Sequence, residues 1–161
     1  MSEKEQFLGV LEREFPTTLK VLKAFPAGKS DLKPQAKCRS AKDLAWTFVV
    51  EQTAGQQALD GAIDFAKMPP PPGTLQEVIA TFERSHRAFV ERIKKTPEAE
   101  LNKTVKFFVA PKQMGDMRKL DVLWFMLMDQ VHHRGQLTVY IRMADGKVPS
   151  VYGPTADEPW M

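Results

Sequence analysis

The sequence predicts an all-α fold, a four-helix bundle closed by an extended C-terminal tail. Capping signals recur ahead of apolar residues spaced three and four apart, and no set of segments alternates apolar and polar residues as strands would. The length, 161 residues, suits a single domain spanning residues 1–161, able to bury roughly two-thirds of the surface of its unfolded chain.

The first helix opens at Ser2, with Glu5 three residues on as a capping box, and carries Phe7, Leu8, Leu11 and Phe15 on one face. Pro16 is expected to kink or split it, with Leu19, Leu22 and Phe25 continuing the face until "FPAGKSDLKP" breaks the pattern. Ser40 and Asp43 announce the second helix, "AKDLAWTFVVEQTAGQQALDGAIDFA". The prolines of "MPPPPG" fix an extended connector. Thr74 and Glu77 cap the third helix, marked by Val78, Phe82, Phe89 and Ile93. Thr96-Pro97-Glu98 restarts a brief turn, and "KTVKFFVAPKQM" reads as extended or irregular. Asp116 is expected to cap a long fourth helix ending near Gly146, a residue suited to a left-handed C-terminal position. The tail, with three prolines, is expected to lie across the helices, anchored by Val151, Tyr152 or Trp160.

Hydrophobic residues at 43% and charged residues at 27% describe an ordinary soluble domain. The 23 basic and 20 acidic residues are interleaved without a basic stripe, which argues against a nucleic-acid partner. One cysteine, Cys38, excludes an internal disulfide and a thiolate-rich zinc site; despite its neighbours Lys37 and Arg39 it reads as a loop bystander. "MSEKEQFLGV" has no apolar signal core, and no run of eighteen apolar residues follows. The expectation is a cytoplasmic protein with no membrane partner.

Chemistry concentrates in "DQVHHRGQLTVY", Asp129 to Tyr140. At 100° per residue, Val122, Met126, Asp129, Leu137, Tyr140 and Ala144 all lie within about 40° of His133. Asp129 and His133 therefore share an otherwise apolar stripe and need each other or a ligand. Asp-x-x-x-His is the spacing of a metal site between helices, and equally of an ion pair within one helix. Glu51, four after Thr47 on the second helix, can supply a further carboxylate. His132 diverges by about 100° from His133 and is read as a supporting or surface residue. His86, among Glu83, Arg84, Arg87 and Glu91, is read as solvated. Arg134, Gln136 and Arg142 can meet an anionic ligand or the helix dipole. Gly135 implies close approach by another backbone, because a mid-helix glycine otherwise costs up to about 1 kcal/mol. Met114, Met117, Met126, Met128 and Met143 are read as packing.

"HHRGQLTVYIRMADGKVPSVYGPTADE", with "LAW" at Leu44 to Trp46 and the approach "FPAGKSDLKPQAKCRSAKDLAW", resembles the DinB-like family, named for damage-inducible members. The resemblance runs over nearly the whole chain. It implies up-up-down-down connectivity, frequent homodimers and a divalent metal, usually nickel or zinc, held by three histidines. Those ligand positions fall here on Thr47, Asp129 and His133. Two readings follow. In the first, Glu51, Asp129 and His133 hold the ion of an enzyme that transfers a thiol to, or hydrolyses, a small molecule. In the second, the chain is a metal-free small-molecule-binding or stress-response module.

Overall fold

The computed structural model describes all residues, Met1–Met161. Helix α1 spans Glu3–Ala24, α2 Ala41–Asp60, α3 Leu75–Lys95 and the single-turn α4 Glu98–Leu101. Strands β1, Thr104–Ala110, and β2, Gln113–Arg118, precede α5, Lys119–Met143. The fold is thus mostly helical with one small sheet.

Local chemistry explains the helix starts. Ser2 Oγ accepts from the Glu5 N–H at 3.3 Å while the Glu5 carboxylate accepts from the Ser2 N–H at 2.7 Å. Thr74 and Glu77 repeat this box on α3. Ser40 accepts from the Asp43 N–H at 3.1 Å, but its hydroxyl, not its backbone, meets the Asp43 carboxylate. Pro16 neither splits nor ends α1, which runs on through Ala24. A proline removes one backbone bond, and here buried Phe7 and Leu11 before it, with Thr18, Val21 and Leu22 after it, hold both halves in place.

The segment expected to be irregular forms an antiparallel hairpin, pairing Thr104 with Arg118 and Phe108 with Met114. Its β1 strand alternates, sending Val105 and Phe107 inward onto Ala54, Ala58, Val122 and Met126. Asp116 is therefore a strand residue, ion-paired across the ladder with Lys106 at 2.9 Å, and α5 starts three residues later without a side-chain cap. At the other end of α5, Asp145 takes the left-handed conformation (φ 58°). Gly146 follows it, its N–H bonding Ile141 O at 2.9 Å. The glycine is needed for room, since a Cβ there would meet Ile141 at 2.9 Å and Pro26 at 3.0 Å.

α1 and α2 each pack on both α3 and α5. Their directions follow from the contacts. Lys4 at the start of α1 reaches the carbonyls of Lys94 and Thr96 at the end of α3, and Arg118 ahead of α5 pairs with Glu3. Lys119 donates to Leu59 O near the end of α2. Hence α1 and α5 run one way, α2 and α3 the other, an up-down-down-up order that replaces the up-up-down-down expectation. The cause is the proline connector. Extended, it carries the chain back along α2, where Trp46 Nε1 donates to Pro69 O and Lys42 Nζ to Gly73 O, so that α3 begins beside the start of α2.

The core has two large apolar clusters. One centres on Val21, Phe48, Phe82 and Ile141, the other on Phe7, Leu59, Phe89 and Leu123. Along each long helix buried polar residues separate them: Thr18, then Glu51 and Gln52, then His86, then Gln130 and Arg134. The site lies at this level.

Candidate metal centre

Because α2 and α5 are antiparallel neighbours, Glu51 on α2 faces the Asp129–His133 stripe of α5. His133 Nε2 lies 3.5 Å from Asp129 Oδ2 and 4.0 Å from Glu51 Oε1, and one donor atom from each residue falls within 4.8 Å of the others. The three residues singled out from the sequence are thus brought together. Burial is graded: the Glu51 side chain is 4% exposed, His133 18% and Asp129 37%.

Both Glu51 carboxylate oxygens are buried without a hydrogen-bond partner. Burial pushes its pKa well above the usual carboxylate range, and Asp129 adds to the shift by its charge and by the close approach of the two carboxyl groups, which favours a shared proton; Arg39 opposes it. A desolvated carboxylate beside a second carboxylate is an arrangement that a cation relieves. Two carboxylates and an imidazole are also donors that borderline divalent ions accept. The residues present fit such an ion.

Gln136 sets the imidazole. Its amide nitrogen lies 3.0 Å from His132 Nε2 and its amide oxygen 2.9 Å from His133 Nδ1. An amide oxygen only accepts, so in this arrangement His133 Nδ1 donates to Gln136 and Nε2 is the ring nitrogen that faces the carboxylates. The spacing was visible, since Gln136 lies three and four residues after the two histidines. A glutamine on a helix surface carries no such meaning until the imidazoles are known to face it. His132 itself is exposed.

Thr47 is engaged elsewhere. Its hydroxyl accepts from Arg39 Nη1 at 2.7 Å and reaches the Asp43 carbonyl at 3.4 Å. Four other expectations change. His86 is buried, 6% exposed, and stacked on Phe15 with ring centroids 3.8 Å apart. Arg134 is no anion receptor: it is 1% exposed, pairs with Glu14 at 2.7 Å, donates to Thr18 and bonds the Tyr152 hydroxyl. Gly135 meets nothing within 4 Å; the mid-helix glycine that admits a close neighbour is Gly55, where a Cβ would come 2.6 Å from the Phe89 ring. Met114, Met128 and Met143 are about half exposed, so of the five methionines only Met126 is fully buried, with Met117 packed beside it.

The sequence model described as the DinB family matches residues 1–160. The uncharacterized protein YrdA of Bacillus subtilis (strain 168) is 31% identical over 90 residues, 55% of this chain and 51% of YrdA. The chain thus spans about half the length of that curated relative. A DinB-like protein from Bacillus cereus ATCC 10987 has a similar crystal structure, with TM-score 0.77 and 24% identity over 92% of this chain and 97% of that one. A second crystal structure, of the DinB-like protein YjoA from Bacillus subtilis, gives TM-score 0.71 and 14% identity over 97% and 99% of the two chains. At these identities the structures establish a shared fold, and the end-to-end sequence match settles kinship: this chain belongs to the DinB family.

Proposed function

We propose that the protein is a divalent-metal-dependent enzyme acting on a small molecule, by thiol transfer or hydrolysis, with Glu51, Asp129 and His133 holding a nickel or zinc ion. The observation that carries this reading is Glu51, whose two oxygens are buried without partners beside Asp129 and His133. Buried carboxyl groups are rarely left so, because burying a polar group without hydrogen-bond partners costs on the order of a few kcal/mol whether or not it is ionised. When bound, a divalent ion supplies a positive centre that polarises an electrophile and favours the deprotonated form of a nucleophile. The chain's own part is positional. Gln136 fixes the His133 tautomer, and His133 stands at the edge of an open cleft large enough for a small molecule.

The test is metal content by plasma mass spectrometry on untagged protein prepared without chelator, beside Asp129→Ala, His133→Ala and Glu51→Gln. Near-stoichiometric metal that disappears in the variants is the expected result. Trace metal unchanged by all three would sink the reading. One observation favours the alternative, a metal-free binding module: Thr47 is already engaged by Arg39 and adds no donor. In that case chelator leaves the melting temperature unchanged, because no bound ion stabilises the fold.

A homodimer is part of the proposal. Phe125, Met128, Val139 and Met143 lie exposed on one face of α5, each 49–58% exposed, with exposed His132, Gly135 and Gln136 between Met128 and Val139. Such a face is unusual on a monomer's surface, and the glycine lets a second backbone approach it.

A further inference from the structure

Next to the three-residue cluster is a cleft of about 470 Å³, within the range of small-molecule pockets. Leu44, Val139 and Tyr140 give it an apolar side, and His133, Gln136 and Arg39 supply its polar groups. His133 is common to the cleft and the cluster.

Arg39 is the unusual member. It lies in the loop before α2 and its side chain is exposed, yet it is not free to wander. Nη1 is fixed on Thr47 Oγ1 at 2.7 Å, and the Arg39 carbonyl accepts from the Tyr140 hydroxyl at 3.2 Å. Thr47 is the guanidinium's one side-chain partner, and Arg39 forms no salt bridge; Arg13, Arg84 and Arg87 also lack one, but of these four arginines only Arg39 lines the cleft beside His133. A guanidinium has five donors in a rigid fork. Those not used by Thr47 remain for a ligand. The arginine is therefore tethered by a neutral partner at the rim of the cleft, near the carboxylates and not neutralised by them.

We propose that the cleft binds the oxyanion end of a small organic molecule, a carboxylate or phosphate ester, on the Arg39 guanidinium, with the apolar body along Leu44, Val139 and Tyr140 and the far end directed at His133. Thr47 is a positioning residue in this arrangement: it spends one donor of Arg39 and aims the others. What happens at the His133 end rests on the metal-centre reading; recognition of the anion by Arg39 does not.

The test is an NMR titration of the full chain with inorganic phosphate, phenyl phosphate and benzoate, with and without one equivalent of zinc. The same titrations are run on Arg39→Gln, Arg39→Lys, Thr47→Val and Asp129→Asn. Saturable shifts at Arg39, Gln136 and Tyr140 are expected, with affinity reduced about ten-fold in Arg39→Gln, the worth of a charge-assisted hydrogen bond. Arg39→Lys recovers part of the loss, Thr47→Val loses less than Arg39→Gln, and phenyl phosphate binds more tightly than inorganic phosphate. Asp129→Asn without zinc still binds in an Arg39-dependent way. The preference between phenyl phosphate and benzoate identifies which oxyanion the site takes. Absence of saturable shifts with all three probes, or equal affinity in Arg39→Gln and the parent, overturns the proposal. Binding that vanishes with zinc while Arg39→Gln is unaffected places the anion on the ion, overturning the Arg39 assignment and leaving the metal centre standing. Arg39-dependent binding by a protein that retains no ion does the reverse.

Discussion

His86 occupies the turn between Phe82 and Phe89 on the buried face of α3, stacked on Phe15, with Nδ1 lacking a partner. Burial lowers its pKa from 6.5 to about 4, against the opposing charge of Glu12. The unfolded chain therefore holds a proton on this imidazole between about pH 6.5 and 4 that the folded chain does not. The contribution of His86 is fully present above pH 6.5 and is lost as pH falls through that window, on the order of 2 kcal/mol in all. His86→Phe keeps a ring against Phe15 and removes the proton, so denaturant melts at pH 7 and pH 4.5 should show a smaller drop in the variant than in the parent. At the metal centre the telling residue is Gln136. Gln136→Leu frees the His133 tautomer and should weaken zinc affinity about 10- to 100-fold, measured by chelator competition, with the helical spectrum unchanged. An affinity equal to the parent's would show that the histidine needs no orientation. His86 was misread because its sequence neighbours are charged: Glu83, Arg84, Arg87 and Glu91 all leave the helix on other bearings, and a four-residue window cannot separate a buried turn from its flanks.

Helices were legible as elements because each long one carries its own start signal or its own apolar stripe. The hairpin was not. Only Val105 and Phe107 of β1 are buried, and β2 has no fully buried residue, so its alternation is too brief to stand out and the strands exist by pairing with each other. The tail shows a similar dependence on contacts that sequence does not display. Val148 and Val151 pack on the core, Asp157 accepts from the Val148 N–H and pairs with Arg142, and Glu158 pairs with Lys20. Trp160, 62% exposed, anchors nothing. Tyr152 is 64% exposed, yet its hydroxyl closes the surroundings of buried Arg134 by donating to Glu14 at 2.6 Å and bonding the guanidinium. Tyr152→Phe keeps the ring that lies 4.9 Å from the Arg134 guanidinium carbon and deletes those two bonds. Urea denaturation should show a loss of about 1–2 kcal/mol, because a desolvated charge loses a partner. A change below about 0.5 kcal/mol, the scale of ordinary surface substitutions, would mean that the tail adds nothing to the Arg134 site.

At the scale of the whole molecule, the exposed face of α5 bears on assembly. Met128→Glu and Met143→Glu place charge on that face without touching the buried face or the cleft, and light scattering should show a dimeric parent converted into monomers. A dimer unchanged by both substitutions would locate the interface elsewhere. The sequence by itself determined the helices, their capped starts at Ser2, Ser40 and Thr74, the extended connector at Met68–Gly73 and the pairing of Asp129 with His133. All of these are set by residues within a few positions of one another, where backbone geometry fixes what can touch. Only the tertiary structure decided that the proline connector makes α2 and α3 parallel, that Glu51 meets His133, that Arg134 belongs to the core and that Arg39 is tied to Thr47. Glu51 and His133 are 82 positions apart and meet because α2 and α5 run antiparallel with their polar turns at one level. That alignment depends on how the apolar clusters above and below it pack, and no spacing along the chain records it.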